Sequence, residues 1–429
     1  MAVRVLVITY YWPPSGGAGV QRALKFVRYF PEFGIDPVVL TVRSDKASYP
    51  VTDETLSKDI PATVKVVTTD SFEPLNILSS LMGKKNVPYG GFANANKESK
   101  TQKLLRWIRG NFFIPDARVG WVSYAYKEAV KLIEQENIRH VFISSPPHSS
   151  QLIGLRLKKR FPHVKWIADM RDPWTDIYYY KDLLHTASAA RKDAALERKV
   201  LEEADTILVV SEAIKRQFCK KSEKIKSGKI QVVPNGYDEA DFETGVTPEA
   251  GSFTIAYVGT MADTYRPEVF FEAFSRLVKK YPDKNLRFRF IGNIPWPVKK
   301  QAEEYGISSN CEWNGHVTHE EAIRQMQSAN LLLLIIPDAA GAEGILTGKL
   351  FEYIGAGRPI LGIGPKDGDA AKILRECGAG EMFEREDRAG IESWLSEQLN
   401  SATFGQQVNN KRLKYTRREL TSAVSKVIQ

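Results

Sequence analysis

Cysteine is nearly absent: Cys219, Cys311 and Cys377 are all the chain has, and they stand far apart. Neither disulfide arithmetic nor metal-site spacing is met, which points to a reducing compartment such as the cytoplasm. Long apolar runs are missing too, since none reaches the ~18–20 residues a membrane span needs. Met1 passes straight into an apolar stretch and leaves no room for a signal peptide, so the expected location is cytoplasmic. Acids are scarce between Lys84 and Arg109, where Lys84, Lys85, Lys97, Lys100, Lys103, Arg106 and Arg109 face only Glu98. Leu104, Leu105, Trp107, Ile108, Phe112 and Phe113 are interleaved or follow. Such a tract suits an anionic membrane surface, a lipid-linked acceptor or a nucleic acid, or is simply solvated. The formal charge of +9 likewise favours an anionic partner. No DNA- or RNA-binding motif accompanies it, so nucleic acid ranks last.

What is present begins with length. A chain of 429 residues exceeds one ordinary core and suggests two domains. Its organising stretch is Thr347-Gly348-Lys349-Leu350-Phe351-Glu352-Tyr353-Ile354-Gly355-Ala356-Gly357-Arg358-Pro359. Apolar runs at Leu331–Ile336 and Ile360–Ile363 flank it and read as buried strands. Leu350 and Ile354 mark a helical apolar face, and Gly355 to Pro359 a helix stop. Strand, loop, helix and strand make a βαβ unit of a parallel sheet. The Thr-Gly entry offers free backbone N–H groups to a phosphate, and Lys349 adds charge in the first turn. Glu352, one turn on, can accept hydrogen bonds from a vicinal diol such as a ribose. An exposed Lys–Glu pair on an ordinary helix is the plainer alternative.

With its Lys, its Glu-Tyr and its Ala-Gly-x-Pro turn, this stretch resembles the donor-site helix of GT-B glycosyltransferases. The likeness is to the family-4-like enzymes of bacterial surface polysaccharides. The resemblance implies that Glu352 holds the donor ribose and that Thr347, Gly348 and Lys349 face the diphosphate. The family pattern has a second Glu eight positions before Glu352, but Gly344 stands there; Glu343, one position early, is the candidate for its catalytic role against the transferred sugar. From Gly259-Thr260 the resemblance carries over donor contacts, and from Arg266 a basic group against the diphosphate. Glu312-Trp313-Asn314-Gly315-His316-Val317 resembles the strand and loop near the donor base, with His316 as its contact; a surface turn is the alternative.

The N-terminal half carries matching signals. A strand from Val3 to Thr9 leads into Ser15-Gly16-Gly17-Ala18-Gly19 and a helix from Val20 to Phe30. Such a turn admits close approach of an anion. A dinucleotide fingerprint fails: Arg22 takes the place of its third glycine, and Arg43 rather than an acid follows the Val38–Val42 strand. The resemblance assigns Gly16, Gly17 and Gly19 to the acceptor and donor-phosphate side, and a tight turn alone is the rival. Ser145-Pro146-Pro147-His148 and Asp169-Met170-Arg171-Asp172-Pro173-Trp174 follow strands at Val141–Ser144 and Lys165–Ala168, where ligands of open α/β sheets gather. Both strings resemble bacterial family-4-like transferases; His148 becomes a catalytic sugar contact, and Arg171 and Asp172 cleft residues. A helix at Ala187–Ala204, a strand at Thr206–Val210 and an N-cap at Ser211 come next.

The expected fold class is α/β, two Rossmann-like αβα domains facing a central cleft (GT-B). Residues 1–245 form the acceptor-side domain and 252–405 the nucleotide-sugar domain. Residues 406–429, with a helix from Lys411 to Ile428, return to the first domain. The resemblance implies transfer from a nucleotide-sugar donor to a glycan or lipid-linked acceptor, with retention, no cofactor and no metal, and peripheral attachment to the inner face of a membrane. Asp367-Gly368-Asp369 offers the metal-binding Asp-x-Asp of GT-A enzymes as an alternative; its place after a strand makes Asp369 an N-cap instead. A GT-B-shaped epimerase or phosphorylase, and a non-catalytic nucleotide-sugar binder, are the rival functions.

Overall fold

The computed structural model describes residues 2–74, 100–242, 245–261, 265–401 and 410–429. Lys84, Lys85, Lys97 and Glu98 of the basic tract lie outside the described residues, as do 243–244 of the expected linker and the expected domain end at 405. The chain divides into Met1–Pro234 with Leu420–Gln429, and Asn235–Glu419.

The first unit is a seven-stranded parallel sheet of β1 (Val3–Ile8), β2 (Ile35–Val42), β3 (Lys65–Thr69), β4 (His140–Ser145), β5 (Lys165–Met170), β6 (Thr206–Val209) and β7 (Ile230–Val232). Its order is β3-β2-β1-β4-β5-β6-β7, so the direction of winding reverses between β1 and β4. Helices α1 (Ala18–Tyr29), α2 (Lys100–Phe112), α3 (Val122–Glu136), α4 (Gln151–Arg160), α5 (Ala187–Glu203) and α6 (Glu212–Cys219) connect the strands. Both faces of the sheet are covered, as an all-parallel sheet requires. Alternate residues therefore enter different cores: Leu6, Ile8, Val141 and Ile143 pack with α3 and α4, while Val5, Val7 and Phe142 pack with Leu24 and Val27 of α1. Ser211 caps α6 by accepting from the Ile214 N–H at 3.3 Å, as the sequence indicates.

The second unit is a six-stranded parallel sheet of β8 (Phe253–Val258), β9 (Leu286–Ile291), β10 (Cys311–Asn314), β11 (Leu331–Ile335), β12 (Ile360–Ile363) and β13 (Gly380–Phe383). Its order is β10-β9-β8-β11-β12-β13, with the reversal between β8 and β11. Helices α7 (Glu268–Lys280), α8 (Trp296–Glu304), α9 (His319–Ser328), α10 (Gly348–Ala356), α11 (Asp369–Cys377) and α12 (Arg388–Asn400) cover it. On one face Phe270 and Phe274 of α7 meet Phe288 of β9; on the other Leu350 and Ile354 of α10 meet Leu332 and Leu334 of β11.

Two details differ from the sequence reading. Residues 235–242 precede the expected linker yet belong to the second unit. Tyr237 and Phe242 pull them in: both press on Gly355 so closely that a Cβ there would lie 2.7 Å from Phe242. At the other end the expected single helix is a 3-10 turn, Asn410–Tyr415, followed by α13 (Arg417–Ile428). Leu420, Val424 and Ile428 of α13 pack in the first unit's core beside Val5 and Phe30.

Candidate active site

In the second unit the strand ends at the winding reversal are capped by α10. Thr347 stands at its N-cap position without capping, and its hydroxyl oxygen is buried with no partner. Gly357, at φ 69°, ends the helix in the left-handed conformation glycine tolerates. Within the first turn Lys349 reaches across to β8. Its Nζ donates to the Tyr257 hydroxyl at 2.5 Å and to the Thr260 carbonyl at 3.1 Å. It also lies 4.3 Å and 4.9 Å from the ring centroids of Tyr257 and Tyr265. Gly259 makes this approach possible: it sits at φ 116°, and a Cβ there would lie 2.5 Å from Lys349 Cε.

Lys349 thus touches neutral groups only. No carboxylate lies within ion-pair distance of it among the described residues, and burial pushes its ammonium down to about 7 against the upward pull of Glu352. Glu352 is half-buried one turn on and makes no hydrogen bond or ion pair among the described residues. Burial pushes its carboxyl up; His319 and Arg417 oppose that, and Asp241 adds to it. A cation and an anion half out of water, neither held in an ion pair among the described residues, are costly as a structural feature and apt as a ligand site. The position of α10 at the carboxyl ends of the strands, beside the winding reversal, is where open α/β sheets take ligands.

Arg266 follows on the β8 side with φ 48°, its Nη1 2.9 Å from Asp338 Oδ2 just after β11. Arg385, after β13, faces the same carboxylate at 3.7 Å, and its Nη1 is buried with no partner. Glu343 is exposed in the 3-10 turn Ala342–Gly344, while Gly344, at the family's position for the second Glu, is buried. His316 is exposed in the loop after β10. Neither Glu343 nor His316 makes a side-chain hydrogen bond among the described residues. Glu312 is taken up by Arg287 and Arg289 at 2.9 and 2.7 Å, and Trp313 stacks on Phe290 at 4.3 Å. Asp369 is the first residue of α11, with Gly368 at the cap, which corrects its reading as an N-cap; it lies 3.2 Å from Lys372 Nζ. Among the described residues no three His, Cys, Asp or Glu gather as a metal site.

In the first unit the glycine turn is pinned from two sides. The Gly16 N–H donates to the Val51 carbonyl at 2.8 Å, and Arg171 Nη1 donates to the Gly19 carbonyl at 2.8 Å. Gly17, at φ 86°, precedes α1. Arg171 also donates to the Ser145 and Pro146 carbonyls, both at 3.1 Å, so its guanidinium ties the ends of β4 and β5 to the glycine turn. Asp172 beside it is half-buried with no side-chain hydrogen bond among the described residues, and burial pushes its carboxyl up against the pull of Arg171. His148 stacks face to face on Trp174 at 5.0 Å, and Trp174 Nε1 donates to Asp193 at 2.8 Å. Burial pushes His148 down to about 4, with Asp116 raising it and Arg171 lowering it, so the ring is neutral at pH 7. Its Nδ1 is buried without a partner.

Sequence reasoning missed Tyr257, Tyr265, Asp338, Arg385 and Trp174. Of these only Trp174 carried a signal, since it closes the Asp-x-Arg-Asp-Pro-Trp string; the others are single residues at strand ends.

Residues 89–241 match Glycosyltransferase Family 4, and residues 241–345 match Glycosyl transferases group 1. No curated protein matches the sequence. Among solved structures, the lipopolysaccharide outer core galactosyltransferase WaaB in apo form is 14% identical at TM-score 0.61, covering 99% of each chain. Sucrose-phosphate synthase from Thermosynechococcus elongatus is 11% identical at TM-score 0.61, over 99% of this chain and 98% of that one. The structure described as trehalose-6-phosphate from E. coli bound with UDP-2-fluoro glucose is 12% identical at TM-score 0.62, over 99% and 98%. At these identities the likeness is one of fold. Two parallel α/β units of this topology, with those two matches, define a GT-B glycosyltransferase. The chain belongs to the family-4 type of these enzymes.

Proposed function

We propose that the second unit binds a nucleotide-sugar donor and the first unit a glycan or lipid-linked acceptor, with transfer retaining configuration and needing neither metal nor cofactor. The observation that carries this reading is the pair on α10, Lys349 for the diphosphate and Glu352 for the ribose hydroxyls, neither of them in an ion pair among the described residues. The α10 N–H groups, Thr347, Gly348, Gly259 and Thr260 complete the donor side, and Arg266 exchanges Asp338 for the departing diphosphate. His148, neutral and held flat by Trp174, contacts the transferred sugar, and Glu343 and His316 are the exposed groups that a bound donor would meet. The UDP-sugar in the E. coli relative and the lipopolysaccharide substrate in the name of WaaB support a nucleotide-sugar donor and a glycan acceptor. A thermal-shift screen of nucleotide sugars tests the donor side, because a ligand that binds only the folded chain raises its melting point. One nucleotide sugar should stabilise the protein and be consumed in excess EDTA. Stabilisation by none contradicts the reading, and consumption that returns only with manganese or magnesium contradicts its metal-free part.

Attachment to an anionic membrane belongs to the same proposal. No helix among the described residues is long and apolar enough to cross a bilayer. Among the α2 residues whose burial is described, Lys103, Leu104, Trp107 and Phe112 are exposed, the last 71% exposed. Arg106 is buried, donating to the Asp182 carbonyl at 3.3 Å, and so is lost to a membrane surface. The apolar residues of α2 therefore carry this reading more than its arginines do. Anionic vesicles should co-sediment the protein, and Trp107→Ser with Phe112→Ser should release it; no sedimentation at low salt removes the membrane from the account.

A further inference from the structure

Among the described residues no side-chain hydrogen bond fixes the plane of the His148 imidazole. Its Nδ1 is buried without a partner, which leaves Nε2 as the ring nitrogen for a ligand. What holds the ring is the face of Trp174, 5.0 Å away between centroids and 9° from parallel. A stacked ring is oriented only as firmly as the platform beneath it, so the question passes to what fixes Trp174.

That platform is tied to α5. Asp193, 1% exposed, accepts from Trp174 Nε1 at 2.8 Å on one carboxylate oxygen and from the Tyr180 hydroxyl at 2.9 Å on the other. One turn along the same helix face, the buried Glu197 accepts from the Thr175 hydroxyl at 2.5 Å and from Lys221 Nζ at 2.8 Å. Two carboxylates spaced by a turn thus hold two successive residues. Their circumstances differ. Glu197 has the Lys221 ammonium as counter-ion, whereas Asp193 forms no ion pair among the described residues and is met by an indole and a phenol. Burial pushes the Asp193 carboxyl up to about 6, and its two hydrogen bonds oppose that. As packing alone this is a costly choice, because apolar side chains would fill the same space without burying an acid. What the acid adds is direction. An indole has one N–H to give, and the acceptor's position decides how the ring lies.

We propose that Asp193 is the positioning residue of His148: through the Trp174 N–H it sets the plane of the indole, and the indole sets the plane of the imidazole whose Nε2 meets the sugar. This rests on the reading of His148 as the contact to the transferred sugar. Asp193 itself makes no hydrogen bond to His148 and acts only through Trp174. Glu197 and Lys221 anchor the neighbouring Thr175 and stand outside this chain of contacts.

The test is NMR of the full chain with labelled histidine side chains, read without ligand; His148→Gln assigns the signals. The His148 ring protons should stand upfield, in the ring current of Trp174. Asp193→Leu should release them toward the shifts of an unstacked imidazole. Asp193→Asn, which keeps an acceptor for the indole, should preserve them, as should Tyr180→Phe, which removes a hydrogen bond from Asp193 but not the one to Trp174. Signals unmoved in Asp193→Leu, or moved as far by Tyr180→Phe, overturn the proposal. If Asp193→Leu fails to fold, Trp174→Phe decides: a ring without the N–H should release the imidazole in the same way, and signals kept upfield overturn the proposal. Consumption of UDP-glucose or UDP-galactose reports on the reading beneath it. His148→Gln and Asp193→Leu should both lower kcat by about tenfold or more while the donor KM stays within about threefold. Full kcat in His148→Gln removes the sugar contact whatever the NMR shows, so the two failures are distinguishable.

Discussion

Arg22 and Lys349 sit on helices that follow central strands of their sheets, and both lie near a winding reversal. Their circumstances are opposite. Arg22 is 1% exposed and its partner Asp169 is 0% exposed, with Nη2 to Oδ1 at 2.8 Å. Arg22 also donates to the Val233 and Pro234 carbonyls, each at 2.9 Å, and Asp169 accepts from Ser144 Oγ at 2.8 Å. Every part of that ion pair is answered from within the first unit. Lys349 and Glu352 lie one turn apart on α10, yet among the described residues neither forms an ion pair, and His319 and Arg417 act on Glu352 only at longer range. A charge that serves the fold is matched inside it, and a charge that serves a ligand is left for the ligand to match.

The comparison breaks most visibly through the first pair. Asp169→Ala leaves Arg22 buried without its anion, and the expected loss is about 3–5 kcal/mol of stability. Urea unfolding measures it. A loss within experimental error would mean that the network contributes nothing, and the contrast with α10 would fail.

The second way to sharpen it uses pH. Lys349 stands at about 7 in the free protein, well below an unfolded lysine, so the unfolded chain binds more protons between pH 7 and about 10. The cost to the free protein is therefore full below pH 7 and shrinks as pH rises through that window. Donor affinity should run the other way, because an anionic diphosphate favours the charged form. Affinity should fall above pH 7 by up to about tenfold per unit, and Lys349→Gln should flatten the profile. A wild-type profile that is flat from pH 6 to 9 would contradict the assignment of Lys349 to the diphosphate.

Much of this was legible in the sequence because parallel strands buried on both faces are written as uninterrupted apolar runs. Leu331–Ile336 and Ile360–Ile363 could hardly be anything else, and the Ala-Gly-x-Pro turn marked the end of α10. The linker was harder, because Tyr237 and Phe242 join the second unit through contact with Gly355, more than a hundred residues away. Arg106 reads as part of a solvated or membrane-facing charge run. What turns it inward is the missing Cβ of Gly110, which packs on the Leu183 carbonyl, and the polar contacts of Asn111, which no periodicity announces. The tyrosines under Lys349 escaped notice for a related reason: Tyr257 reads as one more strand residue, and only the path of Lys349 over Gly259 reveals its second use.

The most direct measurement is a paired one on Glu352→Gln, by unfolding without ligand and by calorimetry with the stabilising nucleotide sugar. A carboxylate kept for the ligand predicts unchanged or slightly higher stability, with donor affinity weaker by about 1.5–3 kcal/mol, the scale of hydrogen bonds to a charged group. Lower stability with undiminished donor affinity would contradict the account, for it would make Glu352 a structural charge like Asp169.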